Sequence, residues 1–232
     1  MTVASQHAKD DGGQPQGGGH SLFGRWLYSA LWIISRTVGV SVFGFRCRFV
    51  EPLPRQGGLM VLSSHQSHLD PLLLGLATDR RLSSMARSSL FRFKPFGAVI
   101  TALDAIPINR EASTVQAMKT VIERLKRGAA VVIFPEGART HDGRLGELKG
   151  GFTLIAKKAG VPIVPVAIVG AFECWPRSRS FPRPGRIRLE FGRVIQASEV
   201  ESLDDRQLFD LCAREIESLD AKARITRRCG RV

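Results

Sequence analysis

The run Ala129-Ala130-Val131-Val132-Ile133-Phe134 constrains this chain's fold more than any other stretch. It is apolar on both faces, as a strand in the middle of a parallel sheet must be. A well-marked helix precedes it. Ser113 and Gln116 form a capping box, and Val115, Met118, Ile122 and Leu125 recur at helical spacing. Lys126-Arg127 complement the negative helix end, and Gly128 stops it. A polar turn, Pro135-Glu136-Gly137-Ala138-Arg139-Thr140, follows the strand. Helix, buried strand and polar turn in that order are the repeating unit of an α/β fold.

The same rhythm recurs on both sides. Leu59-Met60-Val61-Leu62, bounded by Gly57-Gly58, reads as a buried strand. It runs into Ser64-His65-Gln66-Ser67-His68-Leu69-Asp70-Pro71, where Asp70 is expected at the N-cap of a helix to about Thr78 and Pro71 at its first position. A short strand and loop are expected over Arg80 to Arg87, and a second strand over Asp104 to Arg110. Phe91, Phe93 and Phe96 between them read as core. Phe152 to Lys158 is a helix, and Val161 to Ile168 a strand whose prolines argue for an edge position or irregular pairing. Glu173 to Gly185 is a loop with Trp175, prolines and arginines, Ile187 to Phe191 alternates as a last strand, and Ser202 with Asp205 opens a final helix to about Arg224. The expected fold is α/β: a mixed, largely parallel sheet flanked by helices, with an N-terminal membrane-associating helical segment.

Residues 1–20 are Gly-, Gln- and Asp-rich and read as a disordered leader. Residues 21–49 change character. Trp26 to Phe45 is about long enough to span a bilayer at roughly twenty residues, but Arg36 near its middle, with Gly39 and Gly44, argues against a continuous lipid-spanning helix. Helices in the interface fit better, with Trp26, Tyr28 and Trp32 at headgroup depth and Arg25, Arg36, Arg46 and Arg48 near lipid phosphates. The main domain is expected over residues 50–224, and residues 225–232 as a frayed basic tail. The net charge of +13, from 34 Lys and Arg against 21 Asp and Glu, predicts an anionic partner such as a membrane surface or a phosphorylated substrate. Aromatics are only 7% and do not interleave with basic residues, so nucleic acid is not expected. Cys47, Cys174, Cys212 and Cys229 form no CxxC and read as reduced thiols in a cytosol-facing domain.

Three polar points end three apolar strands: His65 with Asp70, then Arg110, then Glu136-Gly137-x-Arg139. Strand ends on one side of a sheet would bring them together. His65 and Asp70, five residues apart, lie about 140° apart on a helix and meet only if the turn folds back. An imidazole held by a carboxylate suits a general base. Arg139 offers a planar fork for phosphate, Gly137 permits a left-handed turn, and Glu136 either orders that arginine or bonds a polyol hydroxyl.

Taken together and in this order, the blocks resemble the glycerolipid acyltransferase family. Ser64-His65-Gln66-Ser67-His68-Leu69-Asp70 matches its (N)HxxxxD block, and Ile106-Pro107-Ile108-Asn109-Arg110 its strand ending in a basic residue. Phe134-Pro135-Glu136-Gly137-Ala138-Arg139-Thr140 matches FPEGTR(S), and Val161-Pro162-Ile163-Val164-Pro165-Val166 matches VPIVPV. Ser64 stands where Asn is frequent, and Ala138 where Thr is usual.

The resemblance implies transfer of a fatty acyl group from a thioester, acyl-CoA or acyl-carrier protein, to the hydroxyl of lysophosphatidic acid or another lipid acceptor. It implies no bound cofactor or metal, a membrane lipid substrate, and a membrane-associated protein whose active site faces the cytoplasm. His65 is then the base, Asp70 its orienting partner, and Arg110 and Arg139 the phosphate holders, with Glu136 and Gly137 shaping that pocket. Three rivals follow from the residues alone. One is a base at His68; another is a metal-dependent hydrolase drawing on His141, Asp142 or Asp104; the third is a non-catalytic membrane adaptor.

Overall fold

The computed structural model describes residues 41–87, 106–108 and 114–229, with the backbone alone at residues 86–87, 106–108, 114 and 228–229. Seven strands form one sheet: β1 (Arg46–Phe49), β2 (Leu59–Ser63), β3 (Leu82–Arg87), β4 (Ile106–Ile108), β5 (Ala130–Ile133), β6 (Ile163–Val169) and β7 (Arg188–Phe191). Their spatial order is β1-β7-β6-β2-β5-β3-β4. All neighbours are parallel except β6 and β7. The described helices are α1 (Asp70–Ala77), α2 (Thr114–Lys126), α3 (Gly151–Ala159), α4 (Ala171–Cys174), α5 (Ala197–Ser202) and α6 (Asp205–Cys229).

The both-sided apolar strands lie where their pattern requires. β2, β5 and β6 are buried at every position and form the sheet centre. Alternate side chains feed two cores. Leu59 and Val61 of β2 with Ala130 and Val132 of β5 meet Leu73, Leu74 and Leu76 of α1 on one face. Met60, Leu62, Val131 and Ile133 meet Leu125 of α2, Phe152 of α3 and Cys212 of α6 on the other. Each side chain of this size contributes about 1.5–3 kcal/mol when fully buried.

The crossovers position the site. From β2 the chain passes over α1 to β3, beyond β5; from β5 it passes over α3 to β6, beyond β2. Adjacent strands β2 and β5 thus send their connections in opposite directions and over opposite faces. That divergence opens a crevice at their carboxyl ends, the place where open α/β sheets bind ligands.

Four expectations are corrected. First, of the edge position or irregular pairing expected for β6, the edge is excluded: the strand lies inside the sheet, parallel to β2 and antiparallel to β7. Its proline is tolerated because Pro165 directs its backbone toward β7, whose pairing with β6 begins only at Val166. There the Pro165 carbonyl accepts the N–H of Gly192 just past the strand end, and no donor is asked of the ring nitrogen. Second, Arg46 to Phe49, assigned to the membrane segment, form edge strand β1 in register with β7. Third, the final helix does not fray at Arg224. It continues through Cys229, because Arg224 bonds Asp220 and Arg227 bonds Glu173 and the Arg186 carbonyl. Fourth, Asp70 is not an N-cap: the cap position is Leu69, with no side-chain cap bond, and Asp70 opens the helix. The three phenylalanines between β3 and β4, the Ser113 capping residue and the segment before residue 41 lie outside the described residues.

Candidate active site

β2 delivers its last side chains into the turn before α1. Ser64 is 2% exposed and continues the sheet. Its N–H donates to the Val166 carbonyl (3.2 Å), and its Oγ accepts the Ile168 N–H (2.9 Å). Ser67 is equally buried and donates its hydroxyl to the Trp175 carbonyl (2.7 Å). Both serines are structural ties.

Beyond Ser64 the turn folds back over the start of α1. Asp70 Oδ2 lies 2.8 Å from His65 Nδ1 and also accepts the N–H groups of Gln66 (2.5 Å) and Ser67 (2.7 Å). The carboxylate therefore organises the turn that precedes it, and one oxygen does all three jobs. Asp70 Oδ1 is buried and has no hydrogen-bond partner among the described residues. Against an ionised carboxylate Nδ1 carries the proton, which leaves Nε2 with its lone pair. His65 retains 19% side-chain exposure while Asp70 has none. The imidazole stacks on Phe134, the residue that ends the β5 run, with ring centroids 3.9 Å apart.

The turn after β5 grips the backbone of the same histidine. Glu136 Oε1 accepts the His65 N–H (2.7 Å), and Oε2 accepts the Gly146 N–H (2.9 Å). The Thr140 N–H donates to the His65 carbonyl (2.9 Å). Each Glu136 oxygen thus accepts one backbone amide, a structural role that the sequence reading did not include. Burial pushes the Glu136 carboxyl up from its ordinary pKa, and the His65 and Gly146 N–H groups oppose that shift. Gly137 has a φ of 71°, the left-handed conformation expected for it, and is exposed.

Arg139 is half-buried beside His68. Burial, the Arg139 charge and His65 hold the His68 pKa below its ordinary value, against the pull of Asp70. His68 is exposed, and its ring meets Trp175 at 5.3 Å rather than the carboxylate. Arg110 follows β4 by two residues, and β4 runs parallel to β3 and β5, but Arg110 itself lies outside the described residues. His141 contacts Arg177 (3.3 Å), and Asp142 accepts the Thr140 hydroxyl and the Arg144 N–H, both at 2.9 Å. Among the described residues no three His, Cys, Asp or Glu side chains gather as metal ligands, and no helix is long and apolar enough to cross a membrane. Burial raises the thiols of Cys174 and Cys212 to about 11 and about 12, so neither is a ready nucleophile.

A pair consisting of a buried carboxylate and a partly exposed imidazole, next to a guanidinium, can remove a proton from a hydroxyl of an anionic substrate. The acyltransferase family model matches residues 44–169, more than half of the chain. This chain belongs to the acyltransferase family.

Among its relatives is a chloroplastic 1-acyl-sn-glycerol-3-phosphate acyltransferase of Brassica napus, 33% identical over 62% of this chain and 42% of that one. The 1-acyl-sn-glycerol-3-phosphate acyltransferase of Pseudomonas aeruginosa is 31% identical over 74% of this chain and 66% of that one. The chain spans about two fifths of the length of the chloroplastic relatives it matches. In fold it is similar to the crystal structure of the 1-acyl-sn-glycerophosphate acyltransferase PlsC of Thermotoga maritima, with a TM-score of 0.70, 24% identity and 85% of this chain and 81% of that one covered.

The acyltransferase segment holds every predicted site residue, but part of the site's support lies beyond it. Gln66 donates its amide to the Gly143 carbonyl (3.0 Å) and accepts the Phe172 N–H (3.4 Å). The Gly143 carbonyl also takes Nη2 of Arg224 on α6 (2.8 Å), an arginine oriented by Asp220 (2.6 Å). Sequence reasoning passed over these residues. Gln66 occupies an unspecified position of the block, and no local pattern links it to an arginine so far along the chain. The one available hint was the Asp220–Arg224 spacing of four on a helix, which pairs charges.

Proposed function

We propose that this acyltransferase moves a fatty acyl group from acyl-CoA or acyl-carrier protein to the free hydroxyl of lysophosphatidic acid. The observation that carries the reading is the 2.8 Å contact of His65 Nδ1 with the buried Asp70 carboxylate, on a turn clamped to the Arg139-bearing loop. Its acceptor comes from the relatives, which are named 1-acyl-sn-glycerol-3-phosphate acyltransferases. In this reading Nε2 of His65 takes the hydroxyl proton as the acceptor oxygen attacks the thioester carbonyl. A C–O bond forms and a tetrahedral oxyanion results. Its collapse breaks the C–S bond, and the departing thiolate recovers the proton from the imidazolium. Asp70 remains anionic and holds the tautomer throughout. Such a base contributes on the order of 10²–10⁴-fold. Arg139, with Arg110, neutralises the acceptor phosphate. No acyl-enzyme is required, since Ser64 and Ser67 are bonded into the fold. The reaction calls on no bound cofactor. It puts the enzyme at a membrane surface with its site facing the cytoplasm, a reading supported by the lipid acceptor and the +13 charge.

The test is turnover of the purified chain on a panel of lysolipids and glycerol 3-phosphate, with acyl-CoA and with acyl-carrier protein. The expected result is preferential acylation of lysophosphatidic acid, with His65→Ala reducing kcat by about 10²–10⁴-fold. Full turnover in His65→Ala overturns the mechanism. A clear preference for another acceptor overturns the substrate.

A further inference from the structure

The loop between α4 and β7 is used by nothing in the mechanism, yet it is bonded to the catalytic turn. The Trp175 carbonyl accepts the Ser67 hydroxyl, and the Trp175 ring meets His68. The loop projects from there and returns to its own base. Arg183 donates its backbone N–H to the Cys174 carbonyl (2.9 Å) and Nε to the Glu173 carbonyl (2.6 Å), so the two strands of the loop meet at their stem. Trp175 Nε1 bonds the Arg179 carbonyl (3.0 Å), and Pro176, Pro182 and Pro184 stiffen what remains. Near the tip Phe181 stands 79% exposed, the most exposed of the large hydrophobic residues described. Arg177, Arg179, Arg183 and Arg186 surround it in sequence, all of them exposed.

A braced loop that holds a phenylalanine in water, ringed by guanidinium groups, has the composition of an element that enters a lipid headgroup layer. The ring enters the acyl boundary and the arginines bind phosphates. We propose that residues 175–186 dock this enzyme on an anionic bilayer and so hold the mouth of the His65 site at headgroup depth. An acidic protein would meet the same arginines, but a phenylalanine tip this exposed favours a partner with an apolar phase beneath its charged layer. The proposal rests on the lipid-acceptor reading for its purpose. Its deciding readout is vesicle binding rather than turnover, so the two can fail separately.

The experiment uses the full chain and vesicles of phosphatidylglycerol with phosphatidylcholine. Sedimentation of the wild type is compared with Phe181→Ala and with the triple change Arg177→Gln, Arg179→Gln, Arg183→Gln. Loss of about fivefold in partitioning per arginine and about tenfold for the phenylalanine is expected. The effect of the arginine changes should vanish on neutral vesicles, while kcat on a soluble short-chain acceptor stays unchanged. As a site-specific reading, Phe181→Trp should gain fluorescence quenching by brominated acyl chains over the wild-type background. A tryptophan at this position that is no more quenched than background overturns the proposal, even if the rest of the chain binds vesicles. So does a triple variant that binds vesicles normally and shows only a raised KM for acyl-carrier protein, which would assign the loop to that donor.

Discussion

Replacing Asp70 by asparagine tests the centre of the mechanism with little change in volume. Three donors, His65 Nδ1 and the N–H groups of Gln66 and Ser67, converge on Asp70 Oδ2. An asparagine that keeps its oxygen there preserves all three bonds but places an NH₂ where Oδ1 now sits, buried and without a partner among the described residues. The cost of that unsatisfied donor is about 1–3 kcal/mol of stability. The flipped rotamer sets the NH₂ against two backbone N–H groups and makes Nδ1 the acceptor, which moves the imidazole proton to Nε2, the wrong nitrogen for a base. Either way the fold is weakened modestly, and the larger effect falls on catalysis.

That effect follows from charge. In the transition state the imidazole becomes an imidazolium against the carboxylate, with Nδ1 and Oδ2 in contact at 2.8 Å. With charge centres about 4 Å apart and an effective dielectric constant of about 20, the interaction is about 4 kcal/mol. Losing it slows the chemical step by about 10³-fold at 1.36 kcal/mol per decade. The assay is steady-state kcat and KM at saturating acyl-CoA, with urea unfolding run alongside. The expected result is a kcat about 10³ lower with KM for the acceptor little changed, in a protein that still unfolds cooperatively. A folded Asp70→Asn enzyme within tenfold of wild-type kcat would refute the argument that this carboxylate supports a developing imidazolium.

Four further outcomes follow. His68→Ala should retain kcat within about threefold, because its ring meets Trp175 and not Asp70; a large loss there with activity retained in His65→Ala would move the base to His68. Arg139→Ala should raise KM for a phosphorylated acceptor by about 10-fold or more, the loss of a charge-assisted bond; an acceptor KM that does not move removes the phosphate role. Glu136 has its pKa raised by burial in the fold, so the native state keeps a proton that the unfolded chain has released. Stability therefore falls as pH rises from the ordinary carboxylate range through the raised folded value, and Glu136→Gln should flatten that fall in urea midpoints; identical profiles for the two proteins exclude it. A Cβ at Gly58 would overlap the Leu125 carbonyl and a Val161 methyl where β2 passes the end of α2, so Gly58→Ala should cost about 2 kcal/mol and lower Tm by about 4–8 °C; an unchanged Tm would show that α2 shifts freely.

The strands were legible because burial on both faces leaves a direct mark on the sequence. β2 and β5 carry no polar residue before their ends, and alternation cannot hide what has no polar face. The meeting of His65 with Asp70 was legible as a condition, that the turn fold back, and the contact between them meets it. What escaped was how backbone groups are satisfied. Asp70 looked like a cap because Asp followed by Pro usually is one. Its actual partners lie upstream, and that depends on the path of a turn which local propensity does not specify. Pro165 left an edge position and irregular pairing both open, because a one-dimensional reading cannot see that β7 begins to pair one residue later.

Glu136 shows why the two motifs behave as one object. Read alone, an acid after a strand invites a substrate role. In the fold it is the only described side chain that bonds the backbone N–H of His65, and it does so from the neighbouring strand at the point where the crossovers diverge. A crevice at such a point lacks the ladder bonds that join β2 to β5 below it, so its walls need another tie. A carboxylate with one amide from each wall supplies it, at the cost of a raised pKa, and Gln66 repeats the device with Gly143 and Phe172. The histidine is then held through its ring by Asp70, through its N–H by Glu136 and through its carbonyl by Thr140. Three anchors from two strand ends leave its free nitrogen as the part of the residue available for chemistry.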